Sequence, residues 1–252
     1  MGWIHTRSNP RLPEIQLGLE VHTGLSFGRC SSGVLNDAAA NTVALSFEDG
    51  PDPVWTRRIL ASLDASGTRA TFFVASPRAV VWPEVIEEIA DAGHEIGLHC
   101  GRHLVHPSSS EASVRQDAEV ALSVLSSQNV EVRLWLPPCG QVAPFSGDLA
   151  RRLGLQLVSW TIDPIGDASG SIDGVIDRVT TELNPGSIIR AHDGFDDGAR
   201  AAAACELSLE MIRPLTDHLE ARGYEAVPVG EIASRVLDLT VDPSVAEPPL
   251  PV

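Results

Sequence analysis

From Thr42 onward the chain alternates short apolar, β-branched runs with amphipathic stretches, and this rhythm is what most limits the folds open to it. The runs are TVALSF, RATFFV, EIGLH, VRLWL, LQLVSW, SIIRAH and EAVPV; between them lie stretches such as VWTRRILASLDASG, WPEVIEEIADAG, EASVRQDAEVALSVLSS and EMIRPLTDHLEARG. Several stretches end in glycine, the residue that most readily takes the left-handed conformation closing a helix. Strands separated by helices, with no hairpin signals between them, run parallel, because a parallel pair needs a long crossover. Seven such alternations in 252 residues predict an α/β fold of one domain, a distorted seven-stranded (β/α) barrel of the TIM-barrel type. The barrel is expected over residues 42–236. Residues 1–41, with no sustained period, are expected as an N-terminal extension, and residues 237–252 as a Pro-rich, disordered tail.

Composition removes several classes of chemistry. The formal net charge is −16, which repels phosphate backbones and anionic lipid, so no nucleic-acid or membrane partner is expected. All 18 basic residues are arginine, and without lysine there is no Schiff base, P-loop lysine or Ser–Lys dyad. Cys30, Cys100, Cys139 and Cys205 are scattered with no Cys-x-x-Cys pair, which argues against a zinc knuckle or a dense disulfide framework. Gly24, Ser26 and Gly28 match Gly-x-Ser-x-Gly, but ahead of the first strong strand and not on a strand-to-helix elbow. The first residues show no apolar signal-peptide core, and no run of about 18 apolar residues occurs, so a cytoplasmic location is expected.

In a parallel barrel, chemistry gathers where strands finish. Glu48 and Asp49 close the first run, His99 closes EIGLH with His103 four residues on, and Pro137, Pro138 and Gly140 follow VRLWL. Asp163 and Asp167 follow LQLVSW, and His192 and Asp193 close SIIRAHD. Two histidines four apart on one helical turn can reach a single ion. With Asp49 from another strand they make three protein ligands, the open arrangement of a catalytic site. One divalent ion is therefore expected on Asp49, His99 and His103, with zinc first and cobalt or nickel as alternatives. His106 reads as a loop residue near the site, and His94 as structural, on the far side of the barrel.

These strings resemble the polysaccharide deacetylase family (NodB homology, carbohydrate esterase family 4). VALSFEDGPDP is similar to its Thr-Phe-Asp-Asp-Gly-Pro motif and GHEIGLHCGRH to its His-x-x-x-His motif. LPPCG is similar to Arg-Pro-Pro-Tyr-Gly, and SIIRAHD to Leu-x-His; the likeness runs in order from Thr42 to Ile232. The resemblance implies a distorted seven-stranded barrel and removal of an acyl group, typically N-acetyl from an amino sugar, with one divalent ion. It makes Asp49, His99 and His103 the metal ligands, Glu48 the general base, His192 the general acid and the Cys139 backbone N–H the oxyanion donor. The ion would polarise the amide and acidify its bound water, Glu48 would take the proton, and His192 would protonate the departing amine.

The departures cluster in the site. Glu48 replaces the usual aspartate, Leu136 replaces the arginine that pairs with the base, and Arg190 stands where the family has a leucine lining the acyl pocket. The usual Asp-Trp pair is missing from WTIDPIGDASG, so either Asp163 or Asp167 could orient His192. Two readings follow. In one, the changes compensate: Arg190 pairs with Glu48, or it binds a carboxylate or phosphate of the substrate. In the other, the site binds metal or ligand only, or runs a non-hydrolytic elimination or isomerisation. The intact ligands and His192 favour a working hydrolase. Its expected substrate is a small acylated amine, aminosugar-like or a natural-product intermediate, touched by Arg190, Pro138 and Trp160. Cys100 and Cys139 read as small fillers of the mouth.

Overall fold

The computed structural model describes residues 41–166, 170–194 and 198–240. Asp167, Cys30, the Gly24–Gly28 stretch, the expected extension up to residue 40 and the tail from residue 241 lie outside them.

Strand β1 (Thr42–Glu48) is the centre of the sheet. It pairs in parallel with β2 (Thr71–Ala75) and with β6 (Ile188–His192), while β7 (Glu225–Ala226) pairs with its first residues. Beyond β2 follow β3 (Glu95–Cys100), β4 (Leu134–Trp135) and β5 (Gln156–Leu157), all parallel. The order is β5-β4-β3-β2-β1-β6, with β7 off this path on β1. Past β5, Ile162 forms a parallel bridge with Ile189 of β6, so the two ends of the order meet. The expected parallel seven-stranded barrel is therefore present, and its distortion lies at that seam, where one bridge stands in for a strand pair.

The crossovers include α1 (Trp55–Ala65), α2 (Ser76–Val81), α3 (Pro83–Asp91), α4 (Glu111–Ser127), α5 (Ser146–Arg152) and α6 (Ile172–Glu182). The series ends with α7 (Gly198–Ala221) and α8 (Val229–Thr240). Gly67 and Gly93, at φ 61° and 76°, close α1 and α3 as their position in the sequence suggests. Two boundaries differ from expectation. Helix α7 begins already at Gly198 and holds Pro214 inside it. Helix α8 runs through Thr240, past the expected start of the tail at residue 237, and the prolines that suggested a tail begin only at Pro243. Among the described residues, no helix is long and apolar enough to cross a membrane.

Every residue of β1 is buried, yet its two faces differ. Val43, Leu45 and Phe47 face the helices, in one core with Ile59 and Leu63 of α1 and Met211 and Leu215 of α7. Ala44 faces the barrel interior, where it joins a smaller core of Phe73, Leu134, Leu136, Val158 and Ile188. Side chains alternate along a strand, so Ser46 and Glu48 also turn inward. The same parity sends Gly97 and His99 of β3, and Arg190 and His192 of β6, into the interior. The polar site thus occupies the upper layers of a barrel whose lower layers are apolar.

Phe72 lies on the outer face, 1% exposed, with its ring stacked on Phe47 at 5.1 Å and edge-on to His94 at 5.3 Å. Phe72→Ala is expected to lower unfolding stability by about 3–5 kcal/mol, the range for a phenylalanine-sized cavity, as read from urea denaturation.

Candidate active site

The strand end that carries Glu48 also sets the first candidate ligand. Asp49 adopts φ 71°, a left-handed conformation that aspartate tolerates better than most residues, so the two adjacent carboxylates leave the backbone in different directions. Gly50 comes next, and a Cβ there would lie 2.1 Å from the Asp193 carboxylate. Asp193 is buried at the end of β6, with its Oδ2 accepting from Thr56 Oγ1 at 2.6 Å. Burial pushes its pKa up to about 7; the Thr56 hydrogen bond works the other way, and the charge of Asp49 adds to the rise.

His99 is fully buried, with its Nδ1 2.9 Å from the Leu136 carbonyl oxygen. A carbonyl only accepts, so Nδ1 carries the proton and Nε2 of the neutral ring offers a lone pair. Nε2 lies 3.2 Å from Asp49 Oδ1, and His103 Nε2 lies 3.8 Å from the same oxygen. Nε2 of His99 is buried without an aligned hydrogen-bond partner among the described residues. Two acceptors facing each other at this distance are reconciled by a cation between them. The donor set, one carboxylate and two imidazoles within 4.8 Å of one another, suits a zinc-type ion, so the residues fit the implied metal. Burial works against the charged form of His99, but Asp49, Glu48 and the Leu136 carbonyl hold its pKa above the usual histidine value. Glu48, Asp49 and His192 form a second close trio, but Glu48 is committed elsewhere.

That commitment is to Arg190. Its Nε donates to Glu48 Oε1 at 2.8 Å and its NH2 group donates to the same oxygen, while NH1 donates to Asp163 Oδ2 at 2.9 Å. The guanidinium carbon also lies 4.2 Å from the centre of the Trp160 ring, a cation–π distance. His192 Nε2 is 3.3 Å from Glu48 Oε1. Burial opposes ionisation of Glu48, but Arg190 first, then the His192 contact and the charge of His99, hold its carboxyl far below the usual range. Oε1 is thus held from two sides, while Oε2 is buried with no partner among the described residues.

The structure sets two sequence-based expectations, for Asp163 and Pro138, in different surroundings, and takes up one of the two alternatives open for Arg190, the pairing with Glu48. Asp163 binds Arg190 and not His192; the other candidate orienting carboxylate, Asp167, lies outside the described residues. Arg190, expected either on Glu48 or on a substrate anion, has each of its three nitrogens engaged by Glu48 or Asp163. Pro138, expected against substrate, is buried inside the turn Pro138–Gly140, and the exposed residue of that turn is Cys139 at φ 56°. Trp160 packs across this turn, so that a Cβ on Gly140 would come 2.8 Å from its ring. The Cys139 thiol is held protonated: burial raises its pKa, Glu48 and Asp49 add to the rise, and Arg190 only partly offsets it. Cys100 is buried.

Sequence reasoning passed over two supporting groups. Ser208 of α7 accepts from the His192 backbone N–H at 2.8 Å, and nothing in the sequence marks it. Asp117 of α4 accepts from the Gly101 and Arg102 N–H groups at 2.9 and 3.0 Å. It breaks the apolar stripe of Val114, Ala118, Ala121 and Leu125, and a carboxylate in such a stripe is a readable signal. His94 accepts from the Ala70 N–H at 3.1 Å, on the far side as expected. His106 sits in a one-turn helix beside Trp135, ring centroids 4.9 Å apart.

A parallel barrel whose mouth gathers a carboxylate, two imidazoles and a second carboxylate–histidine pair is the framework of a metal-assisted hydrolase. Comparison with known proteins narrows the class. A family model described as polysaccharide deacetylase matches residues 36–158. A peptidoglycan-N-acetylglucosamine deacetylase of Bacillus cereus is 31% identical over 192 residues, covering 75% of this chain and 87% of that protein. A chitooligosaccharide deacetylase of Sinorhizobium fredii is 35% identical over 164 residues, covering 62% of this chain and 73% of that protein. The crystal structure of a peptidoglycan N-acetylglucosamine deacetylase bound to 4-naphthalen-1-yl-N-oxidanyl-benzamide superposes with TM-score 0.69 at 25% identity, over 76% of this chain and 87% of that one. A pseudoenzyme of carbohydrate esterase family 4 from Bacillus anthracis shares the fold, with TM-score 0.69 at 22% identity over 77% of this chain and 65% of its own. The chain belongs to the polysaccharide deacetylase family, and these curated relatives point to a hydrolytic amide deacetylase.

His106 supplies a test of this packing. Ser146 Oγ accepts from the Ala143 N–H at 2.9 Å and shares a hydrogen bond of 2.8 Å with His106 Nδ1. Burial drives the His106 pKa down to about 4; Asp117 opposes and His99 adds to the shift. The folded-state pKa is depressed below the unfolded 6.5, so the unfolded chain binds more protons in between and stability falls as pH drops from about 6.5 to about 4. His106→Phe is expected to make the pH dependence of urea unfolding shallower in that window, by about one proton.

Proposed function

We propose that this protein is a metal-dependent deacetylase that hydrolyses the N-acetyl group of an aminosugar, or of a small natural product built on one, with zinc as its ion. The observation that carries this reading is the convergence of His99 Nε2 and His103 Nε2 on Asp49 Oδ1, in the same mouth as the Glu48–His192 pair. The acetyl group and the sugar are the ones that the relatives' names record.

A divalent ion on Asp49, His99 and His103 supplies Lewis acidity for the reacting carbonyl. The remaining steps belong to the chain. Arg190 holds Glu48 ionised and fixes Oε1, which leaves the unpartnered Oε2 as the acceptor for the proton of the attacking water. The exposed turn at Cys139 lends its N–H to the tetrahedral oxyanion. His192, 3.3 Å from Glu48 Oε1, is close enough to receive the abstracted proton and pass it to the departing amine. Arg190 works as the partner of the base in place of the arginine replaced by Leu136. With its nitrogens occupied, it selects no anionic substrate.

Stripping the protein with dipicolinate is expected to abolish acetate release from N-acetylglucosamine oligomers, and zinc, cobalt or nickel to restore it. Full acetate release from metal-free protein sinks the proposal. Glu48→Asp draws the carboxylate back from Arg190 by about one methylene, and a reach error near 1 Å costs on the order of a hundredfold in rate. The expected result is that loss in kcat with zinc affinity unchanged; a gain in activity contradicts the Glu48–Arg190 arrangement.

A further inference from the structure

We propose that Asp117 is a positioning residue for the metal centre: its buried carboxylate pins the turn between His99 and His103, so that both imidazoles reach the ion held with Asp49. The inference rests on the metal site proposed above and adds to it the element that shapes it.

The turn needs such a restraint. Strand β3 ends at Cys100, and within Gly101 and Arg102 the chain must reverse so that His103 comes back beside His99, ring centroids 5.3 Å apart. His103 does this at φ 50°, in the left-handed region that is uncommon for residues other than glycine. Asp117 provides the constraint from another element. Oδ2 accepts from the Gly101 N–H at 2.9 Å, and Oδ1 accepts from the Arg102 N–H at 3.0 Å and from Arg102 Nε at 2.9 Å. An ionised acceptor on backbone N–H groups makes strong, directional bonds, more so where water is scarce, and Asp117 is 9% exposed.

Two further observations tie this carboxylate to the turn and not to its own helix. The N-cap of α4 is Ser110, which accepts from the Ser113 N–H, so Asp117 is not needed to cap it. A Cβ added to Gly101 would meet Asp117 Oδ1 at 2.6 Å, so the glycine leaves the space that the carboxylate fills. Arg102 reaches the same carboxylate from the surface, its side chain 62% exposed, and closes the contact without bearing the load of the turn.

The test uses the full chain, stripped of metal, with zinc affinity measured by competition against a chromophoric chelator and thermal unfolding of the metal-free protein measured in parallel. Asp117→Asn keeps the size but sets an amide against backbone donors. Zinc affinity is expected to fall about tenfold to hundredfold, the range seen when contacts behind metal ligands are removed. The metal-free Tm should move little. Gly101→Ala disturbs the same contact from the turn and is expected to give the same loss, which keeps the test decisive if Asp117→Asn does not fold. Arg102→Ala leaves the backbone contacts in place and should bind zinc as the parent does. Wild-type zinc affinity in Asp117→Asn or Gly101→Ala, or an equal loss in Arg102→Ala, overturns the role of Asp117. A parent protein that binds no zinc overturns instead the metal centre on which it rests.

Discussion

Strands β1 and β6 lie side by side in parallel, with Ala44 opposite Ile188, Ser46 opposite Arg190 and Glu48 opposite His192, and the whole site depends on that register. Side chains alternate along both strands, so the pairing fixes three interior layers at once: an apolar one, a layer with the guanidinium, and a layer with the carboxylate and imidazole. A slip of one residue would turn Leu45 and Phe47 into the barrel and send Glu48 out among the helices. The apolar outer face of β1, packed on α1 and α7, forbids the slip. Burial of the core and placement of the chemistry are therefore one constraint seen from two sides of a strand.

Within that frame the costly group is the buried carboxylate of Glu48. A lone ionised side chain in a barrel interior is strongly disfavoured, and only a cation with matched geometry offsets the loss of water. Arg190 is such a cation, and Asp163 and Trp160 hold it from the other side and from its face. The departures from the family pattern belong together in this light. Leu136, just past β4, joins the apolar inner core at the position where the resemblance puts an arginine, and the positive charge enters from β6 instead. The longer glutamate fits that geometry, because Arg190 stands level with Ser46, one layer below Glu48.

Much of the architecture was readable before any coordinates. The parallel order follows from helices between strands, and the convergence of Glu48, Asp49, His99, His103 and His192 follows from their position at strand ends. The helices that escaped notice are those with weak local signals. Helix α2 follows β2 without a connecting loop and is too short to display a period, and α8 was obscured by the prolines beyond it. The pairing of Asp163 escaped for a different reason. Its partner lies 27 residues away, and sequence order cannot say which of two nearby cationic or imidazole groups a carboxylate will meet. Asp117 was legible in principle, as a charge inside an apolar stripe, but only the fold shows that the stripe faces the turn at Gly101.

The sequence by itself determined the strand–helix rhythm, the set of metal-ligand candidates and the family, because each depends on local periodicity or on residue types at short spacing. Tertiary structure alone decided the partnerships: Arg190 with Glu48 and Asp163, the Leu136 carbonyl with His99, Asp193 against Gly50, Asp117 against Gly101. The physical reason is that hydrogen bonds and ion pairs are selected by distance and direction over a few ångströms. Those distances exist only once the barrel has closed and its register is set.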